Sequence, residues 1–266
     1  MKVLVVDVGG NNVKVSISAR KGEPLKIPSG SDMTAARMVA AVKKATSGWV
    51  YQAVSIGYPG PVVNGRPTRD PFNLGSGWKG FDYRKAFGRK VRIVNDAAMQ
   101  ALGAYTGGRM LFLGLGTGLG SALVVEGVLA PMELAHLPYK KGMTYEDYVG
   151  ERGLKRLGRK KWTLAVHDVV ARLKHGLQCD YVVLGGGQTR RLKRLPPRVR
   201  VGDNTHAILG GIRLWADENA RRLLARGKAL ASSSRSKTTP PRPDQGASDA
   251  PASGPGGAEA EVPSAS

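Results

Sequence analysis

Apolar runs that end in glycine turns recur along the chain. Residues 2–8 (KVLVVDV) form one such run, interrupted by a single acid, and residues 12–18 (NVKVSIS) alternate, with Val13, Val15 and Ile17 set against Lys14, Ser16 and Ser18. Both read as strands. The link Gly9-Gly10-Asn11-Asn12 uses residues that tolerate positive φ, which predicts a tight hairpin. Over about 33–47, Ala35, Met38, Val39 and Val42 share one helical face, with Asp32 placed to cap it. AVSIGY (53–58) and VRIV (91–94) predict buried strands, the second leading into a helix capped near Asp96. MLFLGLG (110–116) and SALVVEG (121–127) predict a second hairpin around Gly116-Thr117-Gly118. Helices are predicted near 144–160 and 163–177, the latter with Val166, Val169, Val170, Leu173 and Leu177 on one face. YVVLGGG (181–187) reads as a strand running into glycines, and 206–226 as a last helical region interrupted at Gly210-Gly211. Two hairpin starts, at 2–18 and 110–127, thus each open a mixed α/β half.

Composition changes this picture at one end. From about Ala229 the chain turns to Ser, Pro, Ala and Gly with almost no large apolar residue, which predicts a disordered tail over 229–266. The 266 residues carry 41 Lys+Arg against 20 Asp+Glu, a formal net charge of +21. The tail's charges nearly cancel, so the excess belongs to the folded part and points to a polyanionic partner. The single cysteine, Cys179, excludes an internal disulfide and a multi-cysteine zinc site. No apolar stretch is long enough to span a membrane, and the N-terminal run lacks the form of a signal peptide, so a soluble cytoplasmic protein is expected.

The candidate chemistry lies at strand ends. DVGG (7–10), GLGTGLG (114–120) and GGG (185–187) all follow apolar strands, where glycine lets backbone N–H groups approach a phosphate. Any one of them is as well explained by an ordinary turn. Three in one chain, one carrying Asp7, point to a phosphate-binding cleft. There is no G-x-x-x-x-G-K-[ST], so a P-loop is excluded; GSGWKG (75–80) fits G-x-G-x-x-G but follows no strand and opens no clear helix. Asp96 follows a strand and precedes a helix, where Asp usually serves as an N-cap. The preceding Asn95 and the phosphate turns favour a catalytic role instead.

The ordered set VDVGGNNVK, GYPGPV, NLGSGW, IVNDAAMQALG, LGLGTGLGSALVVEG, ELAH and VVLGGG resembles the ROK family of sugar kinases over roughly 1–226, and within it the polyphosphate glucokinase branch. That resemblance implies an α/β, two-lobed actin-like ATPase (ribonuclease H-like) fold with mixed sheets flanked by helices. The N-terminal lobe would span 1–105 and hold the first phosphate motif and the sugar site. The C-terminal lobe would span 106–228 and hold the second phosphate and nucleotide-side motifs. It implies that Asp7 holds Mg²⁺, that Gly9, Gly10, Asn11 and Lys14 lie near the transferred phosphate, and that Gly116, Thr117 and Gly118 form the second phosphate loop. Gly185, Gly186 and Gly187 would form the nucleotide-side turn. Asp96 would be the general base, with Asn73, Asn95, Asp96, Glu133, His136 and Glu146 contacting the sugar. Asn11 stands where kin usually carry Thr, and Ala135 where they carry Gly. The cysteine cluster that binds zinc in many ROK proteins is missing, so no zinc is expected. A homodimer is implied by resemblance only.

Arg152, Lys155, Arg156, Arg159 and Lys160 recur at i, i+3, i+4, i+7 and i+8, which would place five cations on one helical face, with Gly153 and Gly158 weakening the helix. Glu151 is spaced to pair with Lys155; the rest have no such neighbour, which favours an anionic ligand. Arg190, Arg191, Lys193, Arg194, Arg198 and Arg200 follow the GGG turn. Polyphosphate, ATP or nucleic acid would suit such charge, but no aromatic is interleaved through 190–200, which disfavours base stacking. The expected activity is transfer of a phosphoryl group from polyphosphate, ATP or both to a hexose hydroxyl, glucose C6 first. Mannose or an N-acetylhexosamine as acceptor, and a non-catalytic sugar- or nucleotide-binding regulator, are the alternatives. The first strand starts at about Lys2, which is expected to leave no place for a repressor's helix-turn-helix.

Overall fold

The computed structural model describes residues 1–216 except 19, 21 and 204. The expected tail and the second half of the expected last helix lie outside the described residues.

The first sheet is built from β1 (Val3–Val8), β2 (Asn12–Ile17), β3 (Leu25–Pro28), β4 (Ala53–Tyr58) and, after a small hairpin of β5 (Val62–Val63) and β6 (Arg66–Pro67), β7 (Lys90–Asn95). The second is built from β8 (Arg109–Leu115), β9 (Leu119–Val125), β10 (Val128–Met132) and, after the small hairpin of β11 (Pro138–Lys140) and β12 (Met143–Thr144), β13 (Tyr181–Gly185) and β14 (Val199–Val201). Their orders are β3-β2-β1-β4-β7 and β10-β9-β8-β13-β14. In each, three antiparallel strands come first and two parallel strands follow on the other side of the opening strand. The helices are α1 (Ala35–Ala45), α2 (Tyr83–Phe87), α3 (Asp96–Ala104), α4 (Tyr145–Val149), α5 (Glu151–Gly176) and α6 (His206–Ala216).

Strand alternation sorts the core into layers. Leu4, Val6 and Val8 of β1 pack outwards with Met38, Val39 and Val42 of α1, whereas Val3 and Val5 pack inwards with Met99 and Leu102 of α3 and Leu214 of α6. In β8 the same division recurs: Leu111, Leu113 and Leu115 face Val166, Val169 and Val170 of α5, and Met110 and Phe112 face the alanines of α3. Helices α3 and α6 therefore lie between the sheets. Both central strands are covered on two faces, which is why their sequences read as continuous apolar runs.

Several local expectations are corrected. Thr34, not Asp32, caps α1 by accepting from the N–H of Arg37, and Asp32 pairs with the Arg37 guanidinium at 3.1 Å. The first hairpin forms, but none of Gly9, Gly10, Asn11 or Asn12 has positive φ. Gly9 is demanded by closeness instead: a Cβ there would lie 2.9 Å from the Asn12 carbonyl oxygen. The helix expected over 144–160 is two elements, a capping-box turn at α4 and the start of α5, which kinks at Gly158 (φ 70°, ψ 162°). Finally, α6 runs unbroken through Gly210-Gly211. A side chain on Gly210 would collide with the Met99 carbonyl, and one on Gly103 with that of His206, so the two helices cross backbone against backbone. Arg213 of α6 seals the crossing by donating to the carbonyls of Leu102, Gly103 and Tyr105 at the end of α3.

Candidate active site

The parallel strands β1, β4 and β7 end in register, with Asp7 opposite Gly57 and Gly57 opposite Val94. Asp7 shares the inward face of β1 with Val3 and Val5, towards the layer that holds α3. Asp7 is 8 % exposed, and Lys14 Nζ on β2, 3.9 Å away, is its carboxylate's only ion-pair partner among the described residues. Burial pushes the Asp7 carboxyl up, and the Lys14 charge draws it back down. Gly57 leaves room between the strand ends: a Cβ there would collide with Met99 and approach Asp7 Oδ1 to 3.3 Å.

At the end of β7 the chain turns directly into α3. Asn95 is the N-cap, its Oδ1 accepting from the N–H groups of Ala97 (3.0 Å) and Ala98 (3.3 Å), while its Nδ2 donates to the Gly60 carbonyl. The capping role that an Asp in this context usually takes thus falls to its neighbour. Asp96 is the first helical residue and accepts one bond, from Ala97 N–H at 2.8 Å. Burial first, and the like charge of Asp7 second, raise its carboxyl to about 7 against the opposing pull of the helix N–H groups. Two acids thus stand at the ends of β1 and β7, on either side of β4, and burial raises both.

The first glycine turn is braced by Ser29, whose Oγ donates to the Gly9 carbonyl (2.7 Å) and whose N–H donates to that of Asn11 (3.0 Å). Asn73 sits against it, its Cβ 3.7 Å from where a Cβ on Gly10 would be. In the second turn Gly116 N–H donates to the Gly118 carbonyl, and Glu151 N–H to that of Thr117. The GGG turn adjoins it: Gly186 has φ 85°, and a side chain there would collide with the Leu115 carbonyl. A Cβ on Gly120 of β9 would lie 2.9 Å from that of Ala97, so the second turn meets the Asp96 end of α3. The structure thus gathers Asp7, Gly9, Gly10, Asn11, Lys14, Asn73, Asn95 and Asp96 on one side, and Gly116, Thr117, Gly118, Gly185, Gly186 and Gly187 on the other.

The remaining predicted residues are disposed differently. Glu146 Oε2 accepts from Leu119 N–H at 2.9 Å, which places its carboxylate on the second glycine turn. Glu133 and His136 lie 3.8 Å apart on the surface, 69 % and 72 % exposed. The five-cation stripe is divided by the Gly158 kink, so its members do not share one straight face. The expectation that four of them lack a partner is also corrected. Arg152 pairs with Glu146 (3.7 Å) and Asp147 (3.8 Å), and Arg156 donates to the Asp147 carbonyl and lies over the Tyr148 ring. Lys155 pairs with Glu151 at 2.9 Å as its spacing required. Arg159 and Lys160, and Arg190, Arg191, Lys193, Arg194, Arg198 and Arg200, have no carboxylate partner among the described residues.

Sequence reasoning missed Ser29, Gly57 and Asp70. Asp70 explains the stray G-x-G-x-x-G: its carboxylate accepts from the N–H groups of Gly77, Trp78 and Lys79 at 3.2, 2.8 and 2.9 Å. An acid just upstream of such a glycine run is the signal that the run serves the fold. These bonds hold the Asp70 carboxyl below the usual range. Asp70→Ala is expected to speed amide hydrogen exchange at residues 77, 78 and 79 while leaving that of β1 unchanged, as read by mass spectrometry.

No protein-family model matches the chain. In sequence it is 26 % identical over 217 residues to the polyphosphate glucokinase of Mycobacterium tuberculosis, covering 72 % of this chain and 80 % of that protein. In structure it is similar to an inorganic polyphosphate/ATP-glucomannokinase from Arthrobacter sp. strain KM (TM-score 0.68, 23 % identity, 83 % of this chain and 99 % of that one). It is also similar to a ROK family glucokinase from Streptomyces griseus, solved in complex with glucose and AMPPNP (TM-score 0.61, 17 % identity, 80 % and 99 %). The fold is that of the ROK and actin-like ATPase structures, two mixed five-stranded sheets flanked by helices. Within that class the resemblance stands as the motifs implied it, to the ROK sugar kinases with polyphosphate glucokinases as relatives in sequence. Among the described residues no helix is long and apolar enough to cross a membrane.

Proposed function

We propose that this chain is a sugar kinase that transfers the terminal phosphoryl group of polyphosphate, ATP or both to a hexose hydroxyl, with the 6-hydroxyl of glucose as first acceptor. The observation that carries the reading is Asp96, a carboxyl raised to about 7 at the N-terminus of α3, between two glycine turns. A base titrating near neutrality removes a hydroxyl proton most effectively. Phosphoryl transfer asks for little more than that base, positioning and neutralised charge.

Asp96 would accept the proton of the sugar hydroxyl, and Asn73 would orient the ring from the first turn. Lys14 would meet charge on the transferred group. The backbone N–H groups of Gly9–Asn11 and Gly116–Gly118 would cradle the phosphates. Asp7 suits Mg²⁺, because it is a hard oxygen donor with no hydrogen bond to its carboxylate among the described residues and only one cation nearby. Bound there, Mg²⁺ would neutralise charge on the phosphates. The names of the Mycobacterium and Arthrobacter relatives support polyphosphate as donor and glucose or mannose as acceptor.

The deciding experiment is a coupled assay of the full chain with Mg²⁺, each donor in turn, and glucose, mannose or N-acetylhexosamines. Turnover of a hexose with either donor supports the reading, and sugar binding without turnover supports a regulator. For the donor path, Lys155, Arg156, Arg159 and Lys160 replaced together by Gln should lower polyphosphate-driven turnover much more than ATP-driven turnover. Arg159→Gln/Lys160→Gln should account for most of that loss, since the other two cations already have partners. Equal falls with both donors, or none, would remove the stripe as a polyphosphate track.

A further inference from the structure

Phe72 is 98 % exposed, and no other large apolar side chain among the described residues exceeds 68 %. Its ring is presented by a fixed loop. Pro71 and Leu74 on either side are buried, as is Trp78. The loop base is held by Tyr58 Oη donating to the Arg69 carbonyl (2.7 Å) and by the three N–H groups on Asp70. Its far limb is held by Gly75 N–H and Trp78 Nε1, both donating to the Met33 carbonyl. The adjacent residue, Asn73, lies against Gly10 of the first glycine turn.

We infer that Phe72 is a specificity-determining residue for the acceptor: its ring stacks on the C–H face of a hexopyranose whose hydroxyls are engaged by Asn73 and Asp96. This rests on the sugar-kinase reading. The loop offers an apolar plane and an amide side by side, and a pyranose carries an apolar face bordered by hydroxyls. A phosphate chain has no apolar face to offer such a ring, and the nucleotide-side glycine turn lies on the other sheet, so the ring belongs to the acceptor. A sugar with all ring hydroxyls equatorial presents only C–H groups to the aromatic plane, whereas an axial hydroxyl interrupts it. Stacking of this kind favours glucose over epimers with an axial hydroxyl on the stacked face.

Phe72→Ala and Phe72→Trp are compared with the unmodified full chain for hexose KM, donor KM, kcat and hexose binding by calorimetry. Phe72→Ala is expected to raise the glucose KM and Kd about twofold to tenfold, the range a lost aromatic contact spans. It should leave donor KM and melting temperature unchanged and narrow the preference for glucose over mannose. Phe72→Trp should restore the glucose KM, and its indole fluorescence should change on titration with glucose and not with polyphosphate. An unchanged glucose KM in Phe72→Ala, a rise in donor KM instead, or a fluorescence change with donor alone would overturn the assignment and leave the kinase reading intact. An unmodified chain that neither binds nor phosphorylates any hexose would overturn both.

Discussion

Asp96→Asn is expected to lower hexose phosphorylation by about a hundredfold to ten-thousandfold while leaving sugar affinity largely unchanged. An amide has the size of the carboxyl and the same hydrogen-bond reach, but cannot take the proton, and general-base catalysis is worth about that factor. Turnover of the unmodified chain should rise with pH through about 7, where Asp96 ionises. The same group makes a separate prediction for stability. Its carboxyl titrates at about 7 in the fold against 3.8 ordinarily, so the folded state binds the proton more tightly than the unfolded state. Its contribution to stability is therefore lost as pH rises from about 4 to about 7. Asp96→Asn has no such loss, so its melting temperature should exceed that of the unmodified chain by more at pH 8 than at pH 4. The gain should be worth more than about 1 kcal/mol, one pKa unit being about 1.4 kcal/mol. Near-normal turnover in the variant would remove Asp96 as the base, whatever its stability.

Gly210→Val is expected to destabilise the fold by about 3 kcal/mol or more, read as a lower urea midpoint. The added side chain would collide with the Met99 carbonyl, and backbone cannot rotate aside as a side chain does. The crossing of α3 and α6 joins both sheets, so the strain has no single layer in which to relax. Gly176→Ala, at a position with nothing within 4 Å, is the control and should be neutral or slightly stabilising. Equal midpoints for the two variants would mean that the helices part easily.

The same glycines show where sequence reading ran out. Gly210-Gly211 read as a break because glycine weakens an isolated helix, and the compensating contact with α3 comes from far along the chain. Gly158 looks no different in sequence, yet it does kink α5. The strands of β1, β4, β8 and β13 were legible because burial on both faces writes an unbroken apolar run. β10, short and carrying Pro131, and the small β11–β12 hairpin, with few apolar residues, gave no such signal. Of the site, the three glycine turns and both acids were legible from residue type and position. The cap moved by one residue, from Asp96 to Asn95, a difference that depends on where β7 stops. The stripe of cations was legible as spacing, but its pairing with Glu146 and Asp147 depends on α4 folding back onto α5.

The two sheets share one strand order, and comparing their opening hairpins residue by residue exposes an asymmetry. In the first, the pair next to the last before the turn is Asp7 opposite Lys14. In the second, the corresponding pair is Gly114 opposite Gly120. One copy of the motif keeps a charged couple at that place, and the other has been emptied to bare backbone, into which Ala97 fits closely. The halves are thus duplicates in topology and opposites in chemistry: one is equipped to hold charge, the other to let a neighbour come near. Restoring an ion pair to the second hairpin would not make a second active centre. It would push away the helix that carries Asp96.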